Sequence, residues 1–152
     1  MKYYVIVFLF FSIYSFLGWV LETTSVSLEK GRFVNRGFLT GCFCPVYGFG
    51  AVIVIKVSSW LNIYVRNEFS FIIVDILVSI VLITALEYST GIILNNIFNR
   101  KWWDYSNEFA NINGYVCLRN SIIWGILAVL LVQFIHPIIY KVVLYAPNKV
   151  NN

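Results

Sequence analysis

Residues 3–21 form a run of 19 residues without a charged side chain. A transmembrane helix needs about 20 apolar residues, because a helix rises about 1.5 Å per residue and the hydrocarbon core is about 30 Å thick. The run is longer than the apolar core of a usual signal peptide, and no A-x-A cleavage site follows it. It therefore predicts a membrane helix that is retained in the protein.

Three further apolar stretches follow the first one. The composition agrees with a membrane protein, since 60% of the residues are hydrophobic and only 12% are charged, against about 25% charged in soluble domains. The pattern predicts an all-α, polytopic membrane protein with about four transmembrane helices. One integral membrane domain would cover residues 1–145, and a polar tail would follow at 146–152. The predicted spans are residues 3–21, 44–64, 69–94 and 115–140.

The third span is longer than a bilayer requires. Its 26 residues would extend about 39 Å as a helix, so it must tilt, kink near residues 89–91 or protrude. It contains Asp75, and the second span contains Lys56. Both are expected to be structural or interfacial, since a Lys side chain can extend along its own stem to the lipid surface.

Two longer connections, residues 23–43 and 95–114, carry most of the unusual side chains. With four spans, both connections lie on one face of the membrane. The basic residues number four on one face and five on the other, so the positive-inside rule does not determine the orientation. The sequence predicts a multi-pass protein of the cell membrane, with the lipid bilayer as its first partner.

Several functional classes are excluded by what the sequence lacks. The eleven Lys and Arg residues are scattered, which argues against nucleic-acid binding. No P-loop, zinc-protease or dinucleotide-binding motif is recognisable. The sequence therefore predicts no cofactor, no metal site and no ATPase activity of its own, and it favours a non-enzymatic role.

Charged groups close to membrane depth are the first candidate functional residues. Ionised side chains in hydrocarbon are costly, so they usually pair or line a polar cavity. The pairs expected here are Glu22 with Arg36 and Glu87 with Arg119, around one shared polar chamber. The alternative for Glu22 is a position among the lipid head groups.

The stretch "RKWWDYSNEFANING" from Arg100 is the second candidate. Trp and Tyr favour the lipid–water boundary, so Trp102, Trp103 and Tyr105 can form an aromatic belt. Alternatively, the rings close a lid whose acid and Asn groups meet a polar ligand or a partner. Asp104 could pair with Arg36 or Arg100, or cap a helix beginning at Ser106.

Together these stretches give one candidate polar and ligand-binding cluster. Its members are Glu22, Asn35, Arg36, Glu87, Tyr88, Trp102, Trp103, Asp104, Tyr105, Asn113 and Arg119.

A weak internal duplication is also visible. Each half has a span with a Glu near its end (Glu22, Glu87), then a loop with Asn, Gly and an aromatic residue, and then a Cys.

The motifs resemble those of a family of small bacterial membrane proteins, the putative ABC-transporter type IV or CmpB-like family. They are Gly18-Trp19 with Glu22, "FVNRGFLTGCFCPVYGFGA" from Phe33, "LEYSTG" from Leu86, "KWWDYS" from Lys101, "NINGYVCLRNSIIWG" from Asn111, and His136-Pro137. The resemblance covers nearly the whole chain. Cys42 and Asn95 depart from the family pattern, where Pro and Glu are expected.

The resemblance implies a permease-like subunit of an ABC-type transport system, without its own ATPase. Such a subunit would work as a homo-oligomer or with a separate ATP-binding subunit. Two alternatives stay open from the residues themselves. One is a membrane-embedded enzyme acting on a lipid or isoprenoid head group through Glu22, Glu87 and Asp104. The other is a regulatory subunit that binds another membrane protein through Trp102 and Trp103.

Overall fold

A computed structural model describes residues 3–145 of the chain. The structure is 77% helical and contains no strands in the described part. The helices are α1 (Tyr3–Lys30), α2 (Pro45–Tyr64), α3 (Glu68–Phe98), α4 (Leu118–Leu130) and α5 (His136–Tyr145). A π-helical turn, Leu131–Ile135, joins α4 to α5 in one apolar rod. The polar tail predicted at 146–152 lies outside the described residues.

Four helices are long and apolar enough to cross a membrane, as predicted: α1, α2, α3 and the rod Leu118–Tyr145. Helix α1 runs past Glu22, near which the apolar run ends, because residues 23–30 contain no Pro or Gly to stop it. It ends at Gly31, whose φ is +61°, the left-handed conformation typical of a helix C-terminus. Helix α3 continues without a break through residues 89–91; its 31 residues extend about 46 Å.

The fourth rod changes its hydrogen-bonding pattern for a local reason. Pro137 has no N–H to donate to the carbonyl of Gln133, and its ring crowds that carbonyl. The chain accommodates this with the π-helical turn, in which the N–H of His136 donates to Leu131. His136, the first residue of α5, therefore lies within the membrane-length rod Leu118–Tyr145.

The distribution of polar and apolar side chains is the reverse of that in a soluble protein. The buried polar side chains of the described chain include Ser15, Ser58, Asp75 and Glu87, whereas many large apolar side chains, such as Phe8 and Leu77, are exposed. Lipid is as apolar as Leu, so polar and small side chains hold membrane helices together. This pattern fits a protein whose outer surface faces hydrocarbon.

The chain divides into two compact units. Unit 1 comprises residues 3–52 and 138–145 of the described chain, and unit 2 comprises residues 53–137. In unit 1, a Cβ atom at Gly18 would overlap Tyr47, and one at Gly48 would overlap Ser15. The two glycines therefore allow α1 and the start of α2 to pack closely.

In unit 2, α3 packs against α4. A Cβ atom at Gly125 would overlap Ile80, and the hydroxyl of Thr84 donates to that of Ser121 at 2.9 Å. The buried residues of α3 are spaced at multiples of four, which is the i±4 ridge used in helix packing. They are Phe71, Asp75, Ser79, Glu87 and Gly91.

Candidate functional site

Glu22 of α1 is held by two side chains of unit 1. Tyr47 of α2 donates its hydroxyl to Glu22 Oε2 at 2.6 Å, and Arg36 Nη2 lies 3.7 Å from Glu22 Oε1. The ion pair expected between Glu22 and Arg36 is therefore present. Tyr47 was not among the predicted site residues; its position in the glycine-rich stretch before Gly48 was the only sequence signal for it.

The loop between α1 and α2 fixes the position of Arg36 through its backbone. The N–H of Arg36 donates to Thr23 Oγ1 at 3.2 Å, and its carbonyl accepts from Cys44 Sγ at 3.4 Å. Asn35 organises the same loop: its Oδ1 accepts from Trp19 Nε1 at 2.7 Å, and its Nδ2 donates to the carbonyl of Thr40. The guanidinium group is therefore carried by a loop that is bonded to α1 and to Cys44, the residue before α2.

The Arg36–Glu22 pair is neither fully exposed nor fully buried. The side chains are 33% and 29% exposed, respectively. Arg36 Nε is buried and has no hydrogen-bond partner within residues 3–145. Since a guanidinium has five N–H donors, this arrangement leaves donor capacity for a further oxygen-bearing group.

The aromatic loop after α3 is closed by its own groups. Trp103 Nε1 donates to the carbonyl of Tyr115 at 2.8 Å, and the N–H of Tyr105 donates to the carbonyl of Gly114 at 2.8 Å. Lys101 Nζ bridges Asp104 Oδ1, at 3.3 Å, and the carbonyl of Asn113. The two ends of the loop are therefore tied together.

Asp104 stabilises a turn in this loop. Its Oδ1 accepts from the hydroxyl and the N–H of Ser106. These two hydrogen bonds, together with Lys101, lower the pKa of the Asp104 carboxyl. Within unit 2, the ion-pair partner of Asp104 is Lys101 and not Arg100, and Ser106 begins a turn rather than a helix. A pairing of Asp104 with Arg36 stays a prediction.

The other aromatic residues of the loop are partly buried. The Trp102 ring lies edge-on to Phe98, with the Arg100 guanidinium 6.0 Å from its centroid. Tyr88 of α3 accepts from Asn113 Nδ2 at 3.0 Å and packs edge-on against Tyr115. Tyr88, Trp103, Asp104, Tyr105 and Asn113 of the predicted cluster therefore meet within unit 2. A role in ligand binding stays a prediction.

Glu87 and Arg119 do not form the expected ion pair. Glu87 is buried at 8% exposure on α3, whereas Arg119 is exposed in the first turn of α4. A long basic side chain at a helix start can place its charge in water, and this position takes Arg119 away from the buried acid. A single chamber shared by Glu22 and Glu87 stays a prediction.

Asp75, which was expected to be structural or interfacial, is buried. Its exposure is 1%, as is that of Ser79 one turn later on the same helix, and that of Ser58 on α2 is 2%. The Asp-x-x-x-Ser spacing was visible in the sequence. The nearly uniform hydrophobicity of α3, however, gave no indication of which of its faces is buried.

The two units repeat one set of contacts. An aromatic residue of the first helix bonds to an Asn of the following loop: Trp19 with Asn35 in unit 1, and Tyr88 with Asn113 in unit 2. Four residues after a buried Cys, a small residue packs against a hydroxyl of the preceding helix: Gly48 with Ser15, and Ser121 with Thr84. By these contacts, residue 19 of the first unit corresponds to residue 88 of the second. The sequence comparison instead paired residue 22 with residue 87, and the two alignments differ by four residues, or about one helical turn.

These features define a polytopic all-α membrane protein with structured polar loops. Comparison with protein families shows a match to the family described as putative ABC-transporter type IV over residues 9–152. The chain belongs to this family and is an ABC-transporter-related membrane protein. Comparisons with curated proteins and with solved structures give no match.

Proposed function

We propose that the protein is a permease-like subunit of an ABC-type transport system in the cell membrane. It would have no ATPase of its own and would work with a separate ATP-binding subunit. Four spans enclose little volume, so the pathway would be completed by a second copy of the chain. Family membership supports transport, and the four membrane-length helices supply the necessary scaffold.

The observation that carries the proposal is the Arg36–Glu22–Tyr47 cluster. The loop holds Arg36 by its backbone on both sides, while its buried Nε keeps a free donor. A charged group that is partly shielded from water and has an unused hydrogen-bond donor can bind a polar solute and release it again. A residue with a purely structural role would be expected to have all its donors bonded.

The contacts of the acids favour transport over the enzymatic alternative. Both oxygens of Glu22 face Arg36 or Tyr47, and Asp104 Oδ1 is occupied by Ser106 and Lys101. A general acid or base must reach the proton that it transfers. In this proposal the two carboxylates instead serve local structure.

The test is assembly with the ATP-binding subunit encoded nearest to this chain's gene. The two proteins are co-expressed, purified in detergent and reconstituted into vesicles. We expect a stable complex whose ATP hydrolysis requires this chain. If no ATP-binding subunit co-purifies, and vesicles containing both proteins hydrolyse ATP no faster than those with the ATP-binding subunit alone, the proposal is wrong.

A matched pair of variants separates the cluster from general charge effects. Arg36→Ala removes the partner of Glu22, whereas Arg32→Ala removes the same charge from an exposed position in the same loop. We expect Arg36→Ala to reduce the chain-dependent ATP hydrolysis by about tenfold, the effect of losing one charge-assisted bond. Arg32→Ala should leave it unchanged. Equal effects of both variants would argue against a specific role for the cluster.

A further inference from the structure

The second polar centre lies inside unit 2, around Asp75. This residue is on α3, seven positions after the helix start at Glu68, or about 10 Å along the axis. Its exposure is only 1%. A carboxyl group at such a position is costly unless it is paired or neutralised, and buried ionisable residues within a membrane commonly mark ion or proton pathways.

Two buried hydroxyl groups accompany the carboxyl. Ser58 of α2 lies beside it, and Ser79 follows one turn later on α3; they are 2% and 1% exposed. Neither Asp75 Oδ2 nor Ser58 Oγ has a hydrogen-bond partner among the described residues. Buried polar atoms are almost always bonded, so these two neighbouring oxygens have the capacity to bind a further group.

No basic side chain of the described residues is paired with the carboxyl group of Asp75. Within residues 3–145, the ion pairs join Glu22 to Arg36 and Asp104 to Lys101, and the side chain that acts on the Asp75 carboxyl is the neutral Ser58. The packing of α4 on this part of α3 brings Gly125 against Ile80, which adds no charge. The other ionisable side chains on α2, α3 and α4 are Tyr47, Lys56, Tyr64, Glu68, Glu87, Tyr88 and Arg119.

We propose that Asp75, Ser58 and Ser79 bind a monovalent cation, either a proton or a sodium ion. Both occupants provide the same chemistry, a single positive charge that neutralises the carboxylate and engages the free oxygens. A proton on Asp75 would donate to Ser58. A sodium ion would take the carboxylate and hydroxyl oxygens as ligands, which suit a hard cation. The site requires no ATP-binding subunit, so it stands independently of the transport proposal.

The site can be tested on the purified chain with dicyclohexylcarbodiimide. This reagent adds to a protonated carboxyl in apolar surroundings: the acid proton moves to a carbodiimide nitrogen, and the carboxyl oxygen bonds to the central carbon. The acyl group then migrates to nitrogen, giving a stable N-acylurea without a leaving group. Peptide mass spectrometry distinguishes labelling at Asp75 from labelling at Glu87.

We expect Asp75 to be labelled, and above a midpoint the rate should fall about tenfold per pH unit as the proton leaves. Replacing choline chloride by sodium chloride at constant ionic strength identifies the occupant. Slower labelling and a higher Tm in sodium indicate a sodium site, and no effect of sodium indicates a proton site. The proposal fails if Asp75 is not labelled at any pH from about 5 to about 9 and the Tm is the same in sodium chloride as in choline chloride. It also fails if labelling is independent of both pH and sodium.

Neighbouring serines provide a matched control. Ser58→Ala removes the hydroxyl beside Asp75, whereas Ser59→Ala removes an exposed hydroxyl that donates to the carbonyl of Ile55. We expect Ser58→Ala to change the labelling rate at fixed pH by about tenfold and Ser59→Ala to leave it unchanged. Asp75→Asn should abolish the label at this position. If Asp75→Asn does not fold, the pH profile of the wild-type chain and the serine pair still decide the matter.

Discussion

Removal of one hydroxyl group tests the Glu22 cluster most directly. Tyr47→Phe deletes the O–H that donates to Glu22 at 2.6 Å and keeps the ring that packs on Gly18. A hydrogen bond to a charged group contributes roughly 1.5–3 kcal/mol. Because the Glu22 side chain is 29% exposed, water can replace part of the lost bond. We therefore expect the free energy of unfolding to fall by about 1–2 kcal/mol.

Reversible unfolding in mixed micelles, with increasing dodecyl sulfate, measures this loss. A change of that size raises the unfolding equilibrium constant roughly 5–30-fold. The matched control is Tyr64→Phe, because the Tyr64 side chain lies at the end of α2 and is 66% exposed. The control should leave the unfolding curve unchanged.

A double-mutant cycle identifies the partner of the hydroxyl. In a Glu22→Gln background the acceptor is a neutral amide, so Tyr47→Phe should cost less there, with a coupling energy of about 0.5–1 kcal/mol. The reasoning is refuted if the effects of the two substitutions simply add. It is also refuted if Tyr47→Phe is as neutral as Tyr64→Phe.

Three further predictions concern the loops and the helix contact. Gly114 has φ +74°, and a Cβ atom there would overlap Asp104 and Ser106. Gly114→Ala should therefore speed proteolysis of the aromatic loop about tenfold or more. The control Asn99→Gly, at φ +50°, should not speed proteolysis, because glycine adopts a positive φ readily. Gly18→Ala should destabilise the protein by about 1–3 kcal/mol, because the Cβ atom of Tyr47 cannot rotate away. At Gly125 the overlapping atoms belong to the flexible side chain of Ile80, so a smaller loss for Gly18→Ala than for Gly125→Ala would contradict this. Folding lowers the pKa of Asp104. Its ionised carboxylate therefore stabilises the loop fully above the pKa of the unfolded chain, about 4, and this stabilisation is lost as the pH falls through the lower pKa of the folded protein. The Trp103 indole N–H resonance should therefore shift only below about pH 4, and Asp104→Asn should abolish this shift.

The number and type of the helices were predictable from the sequence. Long apolar runs force helices in a bilayer, because backbone groups there must bond within their own segment. The end of α1 was not found by hydropathy, since residues 23–30 are polar enough to leave the bilayer but still form a helix. The stop signal was Gly31, which acts through backbone conformation.

The partners of the polar residues were predictable only in part. The Glu22–Arg36 pair followed from the cost of isolated charges in lipid. The partner of Asp104 did not, because Lys101 is positioned by a loop closure in which Trp103 bonds to a residue twelve positions further on. Tertiary contacts of this kind leave no periodic signal in the sequence.

Several polar groups of the two connections are already bonded within their own unit. Asn35, Asp104 and Asn113 all bond to neighbouring backbone or aromatic groups of their own unit. A group that is already bonded loses as much as it gains when it takes up a ligand. Under the functions proposed above, selectivity for a polar solute or ion would come from groups with unused bonding capacity, and in the described chain Arg36 Nε and Asp75 Oδ2 are two such groups. Substitutions at these residues should change the affinity for the bound species, whereas substitutions at the loop asparagines should change only the stability of the scaffold.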